Sequence, residues 1–129
     1  MKKWLIDTDV LIDYFRGLTQ AAIFLEKIVQ CDDCFLSVIS VAELYAGIRE
    51  GKERNLLEVF LQSFTIILVD QSIAQSGGLY RRDYGKSHGV GLADAIIAAT
   101  SDSQHAKLVT LNAKHFPMLN NVHVPYSKS

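Results

Sequence analysis

The chain has 129 residues, 49% of them hydrophobic and 21% charged, a balance that suits one folded domain over 1–129 and excludes a long disordered tail. Thirteen lysines and arginines stand against fourteen acids, for a net charge of -1 and a pI near 6.4, which excludes a protein that coats nucleic acid through a general basic face. No apolar run is longer than that of Ala95 to Ala99, which is too short to span a bilayer. Lys2 and Lys3 lead into Trp4, Leu5, Ile6 and Asp7 rather than into the apolar core of a signal peptide, so a cytoplasmic location without membrane contact is expected.

In chain order, Lys3 to Ile6 predicts a short strand ending at Asp7, and Val10 to Phe15 predicts a short helix closed by Gly17. Ala22, Leu25, Ile28 and Val29 recur at helical spacing within Thr19 to Gln30. Cys34 to Ile39 predicts a second strand, Ser40 to Glu50 a helix stopped by Gly51, and Glu53 to Ser63 a further helix. Thr65 to Val69 is a β-branched strand, and Gln71 to Tyr84 is helical although Gly77 and Gly78 weaken it. Three glycines in Gly85 to Gly91 predict a loop; Leu92 to Ser103 predicts an apolar helix, Lys107 to Leu111 a strand and Val122 to Pro125 a last strand. Strands alternating with helices imply an α/β fold with a parallel sheet covered on both faces, whose ligands bind beyond the carboxyl ends of the strands. Asp7 stands at one such end, and Asn112 follows another.

Asp94 interrupts Gly91 to Thr100, a helical stretch that is otherwise apolar on every side. A carboxylate in such surroundings needs a hydrogen-bond partner or a cation. Near the amino-terminal end of its helix it also favours the helix dipole, which is a purely structural role. Ser40-Val-Ala-Glu43 fits a capping box, in which serine and glutamate satisfy each other's backbone donors; yet Glu43 follows the second strand at the sheet edge where Asp7 leaves the first. Thr8 or Asp9 suits the cap of the first helix, which leaves Asp7 at the end of an apolar strand without a structural reason. Were Asp7, Glu43 and Asp94 to converge within roughly 5 Å, each pair would repel by about 3 kcal/mol at an effective dielectric near 20. An all-carboxylate group of that kind calls for a hard divalent ion, Mg²⁺ or Mn²⁺ rather than zinc.

Four segments in order, Asp7-Thr-Asp-Val-Leu-Ile-Asp-Tyr-Phe, Ser40-Val-Ala-Glu-Leu-Tyr-Ala-Gly, Leu92-Ala-Asp-Ala-Ile-Ile-Ala-Ala-Thr and Thr110-Leu-Asn-Ala-Lys-His-Phe, resemble the successive motifs of PIN-domain nucleases. The resemblance is to VapC-type toxins of toxin–antitoxin pairs. It implies a three-layer α/β/α sandwich, an Mg²⁺- or Mn²⁺-dependent endoribonuclease cutting structured RNA, a homodimer, and a cognate antitoxin that inhibits it and carries the contact with operator DNA. By the same resemblance Asp7, Glu43 and Asp94 are catalytic metal-binding acids, and Asn112 stands where a fourth acid often does, as a weaker neutral-oxygen ligand. Thr110, Asp9 and Ser40 are supporting residues. Arg81, Arg82, Lys86 and Lys114 are the local candidates for RNA contact, with His115 beside Lys114.

Two other readings compete with this one. Asp7-x-Asp9 resembles the nucleophile and acid–base pair of haloacid-dehalogenase-type phosphatases, but Leu11 replaces the usual Thr or Val and no downstream paired-acid motif follows. A non-catalytic PIN-fold binding module is the other, prompted by Asn112. Cys31 and Cys34 form a C-x-x-C without the second ligand pair of a zinc site, and Asp32 and Asp33 between them oppose thiolate formation, so they read as ordinary thiols.

Overall fold

In the computed structural model, residues 1–128 are described, and a four-stranded, wholly parallel sheet organises them. The elements are β1 (Lys3–Ile6), α1 (Thr8–Phe15), α2 (Thr19–Cys31), β2 (Asp33–Ser37), α3 (Val38–Ala46), α4 (Lys52–Leu61), β3 (Thr65–Ile67), α5 (Gln71–His88), α6 (Leu92–Ser103) and β4 (Lys107–Val109), followed by a 3₁₀ turn at Ala113–His115. Strand order is β3-β2-β1-β4. Because side chains alternate across a strand, β1 sends Trp4 and Ile6 to one face and Leu5 to the other. On the first face these two join Cys34, Leu36 and Val109 and pack against Val10 and Leu11 of α1, Leu25 and Ile28 of α2, Leu44 of α3 and Leu57 of α4. On the second, Leu5 and Leu108 pack against Ile97 and Ala98 of α6 and against Phe116. Two cores on two faces make the three-layer α/β/α sandwich that the alternation of elements and the family likeness imply.

Several boundaries differ from those expected. β2 ends at Ser37, whose hydroxyl caps α3 by accepting the Ile39 N–H at 3.1 Å. Ser40 therefore lies buried inside α3, and the capping box at Ser40 to Glu43 does not form. The pairing with β3 sets this limit, since it stops at Ser37 and Ile67. The loop expected over Gly85 to Gly91 is mostly helix, because α5 runs on to His88 and is closed by Gly89 at a φ of 66°. A helical glycine costs only about 1 kcal/mol, and packing along α6 outweighs it. At that contact Gly77 is buried, and a Cβ there would meet Ile96 Cγ1 at 2.9 Å and Ile96 Cα at 3.1 Å. The strand expected over Val122 to Pro125 reduces to one bridge between Val109 and His123.

Cys31 and Cys34 are free thiols. Burial, reinforced by Asp32 and Asp33, pushes the Cys34 thiol up to about 11, which keeps it protonated and unreactive. No helix among the described residues is long and apolar enough to cross a membrane.

Candidate active site at the carboxyl edge of the sheet

Asp7 ends the central strand β1 and begins α1. Its N–H donates to Val109 O at 2.9 Å, extending the ladder to β4 by one residue. Its side chain then caps α1, a role expected of Thr8 or Asp9: Oδ1 accepts the Thr8 N–H at 2.8 Å, and Oδ2 accepts the Thr110 hydroxyl at 2.8 Å. The residue is 6% exposed. Burial, and after it the charge of Asp9, raises the Asp7 carboxyl from 3.8 to about 7; the Thr110 and Thr8 hydrogen bonds oppose the rise, and Asp94 adds to it.

Asp9 acts as a clamp. Oδ1 accepts the Val10 N–H at 2.7 Å, and Oδ2 accepts the Leu111 N–H at 3.0 Å, tying the exit of β4 to α1. Thr110 Oγ1 lies 3.4 Å from Asp9 against 2.8 Å from Asp7, so its one proton serves Asp7. With both oxygens so engaged, Asp9 is not free for the acid–base role that the phosphatase reading requires. Burial raises its carboxyl as well.

Ser40 and Glu43 enter through Thr8. The Thr8 hydroxyl lies 2.8 Å from Ser40 Oγ and 2.7 Å from Glu43 Oε1. Having one proton, it donates to the carboxylate, the stronger acceptor, and Ser40 donates to it in turn. Two turns of helix, α1 and α3, are thereby joined by a hydroxyl relay that fixes the Glu43 head. Asp94 sits in the first turn of α6, and burial followed in size by an opposing His115 contribution and a reinforcing Glu43 contribution leaves its carboxyl raised. His115 Nδ1 stands 3.6 Å from Asp94 Oδ2 on the open side of the group, with side-chain exposures of 39% and 34%.

The three principal acids thus influence one another in a chain, Asp7 with Asp94 and Asp94 with Glu43. They do not close into a tight knot: among the described residues no three His, Cys, Asp or Glu side chains stand close enough together to hold a metal ion. Asn112 is exposed, and it lines a surface pocket with Leu111, Val124, Tyr126 and Lys128, while its backbone N–H donates to Thr110 Oγ1 at 3.1 Å. Of the RNA-contact candidates, Lys114 shares the 3₁₀ turn with His115. Arg81, Arg82 and Lys86 lie exposed on α5, where Arg82 is paired with Asp83 at 2.8 Å and the Arg81 guanidinium lies across Gly85.

Three residues take roles other than those, if any, that the sequence suggested for them. Thr8 links two acids, and His115 meets the third. Asp13, buried one turn beyond Asp9, accepts Tyr126 OH at 2.8 Å and Lys128 Nζ at 3.0 Å, so it fastens the carboxyl-terminal segment. Its signal in the sequence is the i, i+4 repeat of acids on a helix whose other inward residues are apolar.

Residues 4–118 match the family model of the PIN domain. The chain is 38% identical over 124 residues to ribonuclease VapC10 of Mycobacterium tuberculosis, covering 95% of this chain and 92% of that protein. It is 31% identical over 118 residues to ribonuclease VapC1 of Methanocaldococcus jannaschii, covering 91% and 81%. A toxin–antitoxin complex from Klebsiella pneumoniae contains a chain that superposes with a TM-score of 0.83 at 31% identity, covering 96% of this chain and 98% of that one. The chain belongs to the PIN-domain family. Within that family it falls with the VapC-type proteins.

Proposed function

We propose that this chain is an endoribonuclease in which Asp7, Glu43 and Asp94 hold Mg²⁺, or Mn²⁺ in its place, and that it is the toxin of a type II toxin–antitoxin pair. The observation that carries the reading is Asp7, a carboxylate buried at the end of the central strand and opposed by the charge of Asp9 and, more weakly, of Asp94. Without a cation, such a group is driven towards its protonated form; a divalent ion reverses that balance. The donor set is all oxygen, which suits a hard ion. Its looseness suits Mg²⁺ in particular, since this ion keeps several of its waters, so that one or two of the three acids would bind it directly and the remainder through those waters, together with phosphate oxygens.

A bound ion of this kind supplies Lewis acidity at the phosphodiester and activation of a water, for products with a 5′-phosphate and a 3′-hydroxyl. The chain's own residues prepare the site. Thr110 and the Thr8 N–H orient Asp7, the Thr8 hydroxyl orients Glu43, and Asp9 holds the Leu111 backbone that positions Thr110. His115 stands beside Asp94, Lys114 precedes His115 on the same 3₁₀ turn as a further group suited to RNA phosphate, and Asn112 offers a neutral oxygen further out. Arg81, Arg82 and Lys86 extend the RNA-contact surface along α5.

The antitoxin would cover an apolar groove among α1, α2 and α4 lined by Tyr14, Phe15, Ala22, Leu56, Val59 and Phe60, where Leu56 and Val59 are more than half exposed. A neighbouring cavity of about 170 Å³, lined by Phe15, Arg16, Glu43 and Glu53, gives a basic side chain of the partner a route to the acids. The active form is a cytoplasmic homodimer that reaches operator DNA only through the antitoxin.

The test is incubation of the purified, antitoxin-free chain with total RNA across an Mn²⁺ titration. Discrete fragments with 5′-phosphate ends are expected, and none from Asp94→Asn. Release of phosphate from monoesters instead, or intact RNA at every metal concentration, would overturn the proposal.

A further inference from the structure

Opposite the acids, at the amino-terminal edge of the sheet, lies a pocket of about 260 Å³ lined by Lys2, Lys3, Trp4, His105 and Lys107. It forms because β1 starts at Lys3 and β4 at Lys107 in adjacent positions, with Trp4 in register with Lys107. His105 reaches it from the turn that closes α6, where the residue takes a φ of 52° and its N–H donates to Asp102 O at 3.1 Å. The Lys2 ammonium rests 5.6 Å from the centre of the Trp4 ring, a cation–π contact.

Among the described residues, none of these three lysines is paired with a carboxylate. Two acids are near. Asp32 is already engaged by Trp4 Nε1–H at 2.9 Å and by the Lys2 backbone N–H at 3.2 Å, and Asp33 is the strand partner of Lys3. The remaining field is positive enough to act on a neighbour: His123, edge-on to Trp4, has its charged form disfavoured by burial and then by Lys107 and Lys2. In a chain of net charge -1, this concentration of cations around an aromatic floor is local. It suits a compact polyanion better than an apolar protein surface.

We propose that this pocket seats a backbone phosphate of the substrate RNA at a distance from the bond being cut. The proposal rests on the ribonuclease reading. Four residue steps along β1 separate Lys3 from Asp7, about 13 Å at the usual strand rise, and β4 with its exit joins Lys107 to Thr110 in three steps, about 10 Å. A structured RNA with one phosphate at the acids is wide enough to meet both edges, and flexible lysines serve as point charges for a contact that positions without reading sequence.

The experiment compares Lys3→Gln/Lys107→Gln with Lys27→Gln/Lys52→Gln, which removes the same charge from exposed positions on α2 and α4 outside the pocket. Affinity for a structured RNA is measured by fluorescence anisotropy over a range of salt, in an Asp94→Asn background so that binding is read without cutting. Loss of the one seated phosphate will flatten the slope of log K against log salt by roughly 0.7 to 0.9 in the pocket variant, with less change in the control. Trp4, the one tryptophan of the chain, will report RNA arrival by a change in emission that the pocket variant loses. With Asp94 restored, the pocket variant will show a raised KM for structured RNA and an unchanged kcat on a short single-stranded substrate. Equal slopes for the two variants overturn the proposal, as does a Trp4 response to inorganic phosphate but not to RNA, or a loss of affinity for an antitoxin alone. If the wild-type chain cuts no RNA, the ribonuclease reading itself fails; if it cuts RNA and the pocket variant matches the control, only the pocket assignment does.

Discussion

Replacing Asp7 by Asn isolates the electrostatic strain of the site. In the folded chain this carboxyl is raised from 3.8 to about 7, chiefly by burial and then by Asp9. At 6% exposure it is little screened by solvent. A raised acid is protonated in the folded state over a range in which the unfolded chain has already released its proton, so stability falls as pH rises from about 4 to about 7 and then levels off. The full shift corresponds to roughly 4 kcal/mol. Between pH 4.5 and pH 8 the part lost is about 3 kcal/mol, because the unfolded chain begins to release its proton below pH 4.5. Asn keeps the shape without the charge. It retains one of the two acceptor roles, towards the Thr8 N–H or the Thr110 hydroxyl, and loses the other at a cost of about 1 to 3 kcal/mol. Urea unfolding in the presence of a chelator will therefore show Asp7→Asn equal to or less stable than wild type at pH 4.5, and gaining on it by about 3 kcal/mol at pH 8. Adding Mg²⁺ at pH 8 will stabilise wild type and leave the variant unmoved, since only the former gains a folded-state ligand. A stability difference that is flat with pH refutes the argument, for it means that Asp7 is charged in the folded chain at low pH.

Thr110→Val removes the hydroxyl that orients Asp7 and strands the Asn112 N–H; stability is expected to fall by roughly 1.5 to 3 kcal/mol and RNA cleavage by roughly 10- to 100-fold, read by urea unfolding and fragment yield. Gly77→Ala and Gly78→Ala will part company in thermal unfolding. The first forces a Cβ to within 2.9 Å of Ile96 and loses about 1 to 3 kcal/mol, less a helix-propensity gain near 1, whereas the second meets nothing within 4 Å and keeps that gain. Asn112→Asp adds a hard oxygen and a full charge at the outer rim. Its thermal stability will respond more steeply to Mg²⁺ than that of wild type, and an unchanged response means that Asn112 takes no part in holding the ion.

Two acids of the candidate site stand out in the sequence because each contradicts its surroundings. Asp7 closes an apolar strand, and Asp94 interrupts an apolar helix, so charge in a buried context marks both. Glu43 was legible only through its company, and its local reading was wrong. Two serines, Ser37 and Ser40, stand three residues apart where strand gives way to helix, and nothing local says which one caps it. The pairing of β2 with β3 decides, ending at Ser37 and carrying Ser40 into the helix, where its hydroxyl meets Thr8 instead of a backbone donor. The length of α5 escaped for a related reason. Gly85 and Gly89 look alike in sequence, but one continues the helix under the Arg81 side chain and the other ends it with a left-handed turn.

What joins the acids into a site is a set of hydroxyls, and these carry no sequence signal of their own. A threonine in an apolar setting reads equally as a β-former, a cap or a buried filler. Thr8 and Thr110 become informative only when the sheet sets β1 between β2 and β4, because that order brings residues 35 and 103 positions apart to within 2.8 Å of the carboxylates they orient. A parallel sheet delivers the carboxyl ends of its strands to one edge whatever the length of the crossovers. The acids are therefore gathered by topology, and aimed by single protons shared between neighbours that only the folded chain possesses.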